Sequence, residues 1–352
     1  MNSGVISSQD GSGSATYGNY VFDNAINVQS GTDNAITANK IALRNLGAAG
    51  AGKITVADNA KLTISSQIFD PDGNFIPLVK EGEGTLVLSG DNTYTKGTNV
   101  NKGVLQLTGD AVKANSSIEI AENATLEYNV PSGTKSLEYT NENNKSVSGA
   151  GNVAKTGAGA LSILATDGLF EADEFAVEEG QLNFKGEYDG AMEVKRGATL
   201  SPGNSVGDLT VYGDVKIDAG ATGLFEFSSY TADKEAQQYD RLFVGNDGSF
   251  VIDENSIIKL FFENNDYDAW AAEGEEYKLV SDEDFSGVTP TLFNYTDLFS
   301  LEGRDDGLWL IVGGAGPIPP GPGSGVPEPS TWALLILGAM GLYFIRQKKN
   351  NK

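Results

Sequence analysis

The chain has 352 residues, with 48 acidic against 24 basic side chains and a formal net charge of −24, and it contains neither cysteine nor histidine. Such acidity repels nucleic-acid phosphates, so no nucleic-acid partner is expected. The missing residue types exclude disulfides, Cys/His zinc sites and imidazole-based triads, and no cofactor is expected. With 44 glycines, only 11 prolines and no collagen period, the composition predicts a turn-rich β protein.

Residues 1–50 show little of the repeat found further along the chain. We interpret them as an irregular N-terminal segment or as N-terminal coils. Residues 1–20 have neither the basic stretch nor the apolar stretch of a signal peptide. If the protein is exported, we expect its export signal to lie upstream of Met1.

A strand–corner–strand unit then recurs along the chain. The copies are ITVADNAKL (54–62), IEIAENATL (118–126), MEVKRGATL (192–200) and VKIDAGATG (215–223). Apolar residues alternate at a period of two, which is typical of strands, and no helical period separates the units. The pattern predicts an all-β fold with a right-handed parallel β-helix, a solenoid, across residues 51–212. A β-sandwich with ordinary hairpins is the alternative.

Each unit has an asparagine or a glycine immediately before a small alanine. The four positions are Asn59, Asn123, Gly197 and Gly220. Because these two residue types tolerate left-handed backbone angles, the position predicts a tight corner. The alanines that follow are small enough to pack beneath the corner; they are Ala60, Ala124, Ala198 and Ala221.

The pattern changes towards the C-terminus. Residues 213–312 contain longer and more apolar strands, which we interpret as the final coils and a C-terminal β cap. A cap is expected because open solenoid ends expose unpaired strand edges. Residues 313–325, GGAGPIPPGPGSG, form a Pro/Gly linker without core residues.

One acidic turn, FDPDGNFIPLVKE (69–81), has part of the spacing of a calcium-binding loop. Asp70, Asp72 and Asn74 would occupy its first, third and fifth positions. Phe75 stands where the turn glycine belongs, so the metal-site interpretation is weak. An ordinary Asp-Pro-Asp-Gly turn is the favoured interpretation.

Other chemistry is sparse. Paired carboxylates are the remaining option for acid–base catalysis, and the candidates lie in turns, at 282–284 and 305–306. Acidic turns are usually just solvated, so we predict no catalytic residues and no enzyme activity, with a polysaccharide lyase or glycoside hydrolase as the alternative. Some tyrosines could either stack on sugars or fill the core. They are Tyr94, Tyr128, Tyr139, Tyr188, Tyr212 and Tyr230.

Residues 84–107 resemble the autotransporter-associated β-strand repeat. The matching positions are Gly84, Leu86, Leu88, Gly90, Asn92, Tyr94, Gly97, Thr98, Val100, Gly103, Leu105 and Leu107. The stretch TLSPGNSVGDLTV (199–211) is similar to one that often follows such repeats. The resemblance covers roughly residues 78–312 and implies a passenger-type β-helix.

The C-terminal segment, residues 326–352, resembles a PEP-CTERM sorting signal. It has the tripeptide Pro327, Glu328 and Pro329, then an apolar stretch, then a basic tail of Arg346, Lys348 and Lys349. The resemblance implies export across the inner membrane of a Gram-negative bacterium. It also implies cleavage by a membrane-embedded exosortase and release to the cell surface or to an exopolysaccharide matrix.

The apolar stretch, residues 332–345, predicts a single short transmembrane helix. Its apolar side chains include Trp332, Leu334, Leu335, Ile336, Leu337, Leu342, Phe344 and Ile345. As a helix it would span about 21 Å, against ~30 Å for a hydrocarbon core, which fits a temporary anchor. The basic tail should stay cytoplasmic, which places the rest of the chain outside.

We therefore expect an exported structural or adhesive protein, held in the inner membrane as a single-pass intermediate and then delivered to the surface or matrix. The expected partners are an exosortase-type enzyme, the membrane and exopolysaccharide or cell-surface glycans. A polysaccharide-binding or polysaccharide-cleaving β-helix is the alternative function.

Overall fold

The computed structural model describes residues 5–6, 20–22, 25–43, 52–71, 76–113, 115–231, 238–245, 248–273, 275–283, 285 and 290–313. Residues Met1–Gly313 are grouped into one compact unit. The first strands are β1 Val5–Ile6, β2 Tyr20–Phe22, β3 Ile26–Val28, β4 Asn34–Ile36, β5 Lys40–Leu43, β6 Lys53–Val56, β7 Lys61–Ile64, β8 Gln67–Phe69, β9 Leu78–Glu81, β10 Thr85–Leu88, β11 Thr98–Val100, β12 Gly103–Thr108, β13 Ile118–Ile120, β14 Ala124–Asn129, β15 Thr134–Tyr139, β16 Val147–Ser148 and β17 Asn152–Thr156.

The remaining strands are β18 Ala160–Ala165, β19 Glu171–Val177, β20 Gln181–Val194, β21 Thr199–Pro202, β22 Asp208–Tyr212, β23 Val215–Ile217, β24 Thr222–Phe227, β25 Arg241–Val244, β26 Phe250–Ile252, β27 Ile257–Phe262, β28 Glu276–Ser281, β29 Thr291–Leu292, β30 Phe299–Arg304 and β31 Gly307–Val312. Two short 3-10 helices occupy Gly109–Ala111 and Glu263–Asn265, and a short α-helix, α1, occupies Tyr267–Ala272.

The strands pair in parallel with strands that are distant in sequence. Leu86 of β10 lies opposite Leu62 of β7 on one side and Leu105 of β12 on the other. Leu105 in turn pairs with Leu126 of β14, and Leu126 pairs with Val153 of β17. Hairpins would instead join consecutive strands in antiparallel pairs. The prediction of an all-β chain is confirmed, and its parallel sheets give it a β-helix-like arrangement.

Two columns of buried side chains run along these ladders. The first is Leu62, Leu86, Leu105, Leu126, Val153, Phe175, Met192, Val215 and Phe250. The second is Ile64, Leu88, Leu107, Tyr128, Lys155, Val177, Val194, Ile217 and Ile252. Each buried aliphatic side chain stabilises the fold by about 1.5–3 kcal/mol, so the columns contribute substantially to its stability.

The predicted corners are confirmed. The backbone φ angle is positive at all four positions, 58° at Asn59, 63° at Asn123, 84° at Gly197 and 80° at Gly220. At each corner the alanine N–H donates to the carbonyl three residues earlier, over 2.9–3.0 Å. The four alanines are at most 3% exposed, as their small size predicts.

The long strand β20 contributes to three successive ladders. It pairs with β18 and β21 at its start, with β22 in its middle, and with β19 and β23 at its end. The partners of β20 change near Gly186 and Gly190, whose φ angles are 111° and 140°. A Cβ atom at Gly186 would lie 1.7 Å from the Ala165 carbonyl oxygen, so only glycine fits this close approach.

The C-terminal end of the unit differs from the rest, because β31 pairs antiparallel with both β28 and β30. Two side chains close other strand edges nearby. The buried Asp282 accepts a hydrogen bond from the backbone N–H of Phe250 in β26, at 2.9 Å. Asn294 accepts from the N–H of Leu260 in β27, at 2.9 Å, and donates to its carbonyl, at 2.7 Å. Such caps remove the free donors and acceptors of an edge.

Candidate functional site

The predicted sorting tripeptide Pro327–Pro329, the apolar segment from Trp332 to Ile345 and the basic tail lie outside the described residues. Within the ranges that are described, no helix combines the length and the apolar character needed to cross a membrane.

The calcium-loop candidate is described only at Asp70, because Asp72 and Asn74 lie outside the described residues. Asp70 Oδ2 accepts hydrogen bonds from the backbone N–H of Thr95, at 2.6 Å, and from its hydroxyl, at 2.7 Å. Asp70 therefore ties its turn to the neighbouring loop. Among the side chains that the structure describes, no group of three or more Asp or Glu residues is arranged to hold a metal ion.

The acidic turns have structural contacts. Asp282 caps β26, as described above, and Asp284 lies outside the described residues. Asp306 forms an ion pair with Lys278, at 2.6 Å, and accepts a hydrogen bond from Trp309 Nε1, at 3.0 Å. These bonds, from Lys278 first and then from Trp309, lower the pKa of Asp306. The carboxylate of Asp306 thus fastens the antiparallel strands β28 and β31, whereas that of Asp282 holds β26.

Of the two interpretations of the tyrosines, sugar stacking or core filling, four of them take the second. Tyr94 is 3% exposed, and Tyr128, Tyr139 and Tyr188 are 0% exposed. Their hydroxyls find partners inside, such as the 2.9 Å bond between Tyr128 and Tyr139. Burial raises the pKa of Tyr94 to about 12. Ring faces enclosed in this way offer nothing to a sugar, although Tyr212 and Tyr230 remain half-buried.

Two buried lysines, which sequence reasoning missed, lock neighbouring corners together. Lys80 is 0% exposed, and its Nζ donates to the carbonyl oxygens of Gly82 at 2.6 Å, Lys102 at 2.8 Å and Glu81 at 3.1 Å. The three donors of one ammonium thus satisfy three backbone acceptors. Burial lowers the pKa of Lys80 to about 8, and the nearby Glu83 and Glu81 oppose this shift.

Lys155 repeats the arrangement. Its Nζ donates to the carbonyls of Gly157 at 2.6 Å, Glu179 at 2.8 Å and Thr156 at 3.0 Å, and burial lowers its pKa to about 8. The shared sequence signal is a lysine followed by glycines two and four positions later, at 80–84 and 155–159. We call Lys80 and Lys155 the corner lysines.

A buried carboxyl group holds the loop between β21 and β22, within the SPGNSVG stretch. Asp240 is 0% exposed and accepts hydrogen bonds from the backbone N–H groups of Gly207 and Glu226, each at 2.9 Å. Burial raises the pKa of Asp240 to about 8, against the opposing effect of these two donors. Asp240 lies 33 residues after Gly207, so no local pattern points to their contact.

Comparison with known proteins identifies two segments of the chain. The model described as the passenger-associated-transport-repeat matches residues 78–107, which include Lys80 and Gly103, whose φ angle is 65°. The PEP-CTERM protein-sorting motif matches residues 325–349. The adhesin BmaC autotransporter of Brucella suis biovar 1 (strain 1330) is 27% identical over 215 residues, which cover 57% of this chain and 6% of the adhesin.

The chain thus spans a small fraction of the length of this curated relative. The resemblances predicted from the sequence are confirmed: the chain carries both a passenger-type repeat and a PEP-CTERM sorting motif. Together with the likeness to an autotransporter adhesin, they indicate a protein that is exported to the cell surface.

Proposed function

We propose that this chain is a non-enzymatic structural or adhesive protein, built as a right-handed parallel β-helix that acts as a rod or spacer outside the cell. The two buried columns carry this proposal, because the same inward positions recur in register from Leu62 to Phe250. A right hand follows from the strong preference of parallel crossover connections for that hand.

The charge distribution supports a role at a hydrated surface. The apolar side chains of the columns point inwards, and the charged side chains that give the net charge of −24 lie mainly at the outward positions. A highly charged exterior keeps an extended β protein soluble and separate from its neighbours. The name of the relative, an adhesin, supports an adhesive role. Exopolysaccharide or cell-surface glycans are the partners that we propose for it.

The sorting motif supports the route. The chain would cross the inner membrane, remain there as a single-pass intermediate through residues 332–345, and be cleaved by an exosortase-type enzyme near Pro327–Pro329. Release to the surface or extracellular matrix would follow. The segment is short for a permanent span, which favours temporary residence.

Replacing Pro327, Glu328 and Pro329 with alanine tests the route. The variant should accumulate in the inner-membrane fraction, and intact-mass measurement should show an uncleaved C-terminus. Pro319→Ala with Pro320→Ala, in the preceding linker, is the matched control and should be delivered like the wild type. Normal delivery and normal cleavage of the triple variant would overturn the sorting proposal.

The absence of enzymatic activity has its own test. The purified chain is incubated with acidic and neutral glycans, and the products are assayed for new reducing ends and for unsaturated sugars. We expect neither product above a heat-denatured control. Turnover of any glycan would replace the structural proposal with a polysaccharide lyase or glycoside hydrolase.

A further inference from the structure

Two phenylalanines lie exposed on one outward face of the ladder formed by β24, β27 and β29. Phe261 is 41% exposed and Phe293 is 60% exposed. Phe293 follows β29 and stays in its register, because its N–H donates to the Ile258 carbonyl at 2.9 Å. The register therefore places Phe293 beside Lys259, which is the outward residue of β27 next to Phe261.

Opposite charges lie on the same face. In the register of β24 and β27, Leu224 lies beside Lys259, and Glu226 lies beside Phe261. These four residues form the corners of a rectangle on the sheet surface. Lys259 and Glu226 occupy two opposite corners, one on each side of the diagonal from Leu224 to Phe261. Within the part of the chain that the structure describes, neither the Lys259 ammonium nor the Glu226 carboxylate forms an ion pair. We call Leu224, Glu226, Lys259, Phe261 and Phe293 the aromatic face.

The adjoining edge is closed to strand addition. The edge strand β29 has two residues, follows Pro290, and is succeeded by the Asn294 side chain that caps Leu260. Short edge strands, prolines and side-chain caps all oppose edge-to-edge pairing. Any partner of this region must therefore meet the face of the sheet and not its edge.

We propose that the aromatic face binds the same face of a second copy of this chain, in a two-fold symmetric contact. The two-fold axis lies in the plane of the contact and runs along the diagonal from Leu224 to Phe261. Rotation about this axis sets Lys259 of each copy against Glu226 of the other. It also brings the two Phe261 rings together. An isologous contact requires a self-complementary surface, and this face is self-complementary in both charge and apolar character. The proposal goes beyond export and would link rods side by side.

Charge reversal tests the contact on the full chain in a mild detergent that covers the apolar C-terminal segment. Sedimentation velocity should show the wild-type mass rising with concentration. Lys259→Glu and Glu226→Lys should each weaken dimerisation at least about tenfold, because each replaces two attractive pairs with two repulsive ones. Mixing the two variants should restore association, since the reversed charge at position 259 of one copy then faces the reversed charge at position 226 of the other.

Controls separate this contact from other causes. Phe293→Ser should weaken dimerisation, whereas Val251→Ser, at a site 46% exposed on a neighbouring strand ladder, should not. Circular dichroism checks that each variant is folded. If Glu226→Lys fails to fold, Glu226→Gln and Lys259→Gln replace the reversed pair. Each should weaken association, and mixing them should recover part of it, because the mixed dimer retains one pair between Lys259 of one copy and Glu226 of the other.

Three results would overturn the proposal: a wild type that stays monomeric at every concentration, a mixture no tighter than its components, or an equal effect of Val251→Ser. A monomeric wild type that binds an acidic glycan, with binding lost in Phe293→Ser, would assign the aromatic face to a carbohydrate instead.

Discussion

Replacing Asp240 with asparagine should change how the stability of the protein depends on pH. Burial raises the pKa of Asp240 in the folded chain to about 8, from an ordinary 3.8. Between pH 3.8 and pH 8 the folded chain holds a proton on Asp240 that the unfolded chain has lost. The stabilisation from this proton is therefore fully present below pH 3.8 and is lost as the pH rises towards 8. At about 1.4 kcal/mol per pKa unit, the total is about 6 kcal/mol.

The asparagine variant lacks this titration but keeps the shape of the side chain. It loses one of the two bonds from Gly207 and Glu226, because its amide nitrogen cannot accept, at a pH-independent cost of about 1–3 kcal/mol. Urea unfolding at pH 5 and pH 8 measures both the pH-dependent effect of the Asp240 proton and the pH-independent cost of the lost hydrogen bond. The stability of the wild type relative to Asp240→Asn should fall by several kcal/mol between these pH values.

Asp214 supplies the baseline for this experiment. It is an exposed aspartate that accepts hydrogen bonds from the N–H and hydroxyl of Ser249, each at 2.9 Å. Asp214→Asn therefore reports the loss of a capping carboxylate at the surface over the same pH range. If the difference between wild type and Asp240→Asn is the same at pH 5 and pH 8, the reasoning about Asp240 is refuted.

Three further substitutions test the packing, each by urea or thermal unfolding. Gly186→Ala should lower the free energy of unfolding by several kcal/mol, since its Cβ would lie 1.7 Å from a backbone oxygen. Gly133→Ala is the control: with φ 69° and nothing within 4 Å, it should lower that free energy by only about 1 kcal/mol. Equal losses in the two variants would contradict the close approach at Gly186. The stability of the wild type should rise by about 3 kcal/mol between pH 8 and pH 10.5, because the unfolded chain then holds a proton that folded Lys80 has released. Lys80→Met lacks this gain, so its stability relative to the wild type should fall by that amount. An unchanged difference would show that the three carbonyls keep Lys80 charged. Gly223→Ala should raise the free energy of unfolding by about 0.5–1 kcal/mol, because Gly223 lines an apolar cavity of about 10 Å³. A loss of stability would show that the nearby side chains cannot move aside.

The parts of the structure that follow from short stretches of sequence were predictable. The corners at Asn59 and Gly197 were found because a positive φ angle selects asparagine and glycine from the residue's own chemistry. The repeat at 78–107 and the sorting motif at 325–349 were found because their residue order is itself the signal.

Contacts between distant residues were not predictable. The sequence favoured the core for Tyr128 but left a sugar-binding surface open, and only the pairing of β14 with β12 and β17 places Tyr128 inside. Lys155 was overlooked because a lysine normally lies in solvent; it is buried because three carbonyls, one of them at Glu179, surround its ammonium. Asp240 is a third example, since its partners are Gly207, in the loop between β21 and β22, and Glu226, in β24.

The amino-acid sequence alone determines the alternation within each strand, the residues at each corner and the two recognisable segments, since these depend on near neighbours in the chain. The tertiary structure decides which strand lies against which, and therefore which polar groups are enclosed and which aromatic rings stay exposed. The burial of a side chain such as Lys80, or the exposure of Phe293, depends on residues many positions away, and no local pattern contains that information.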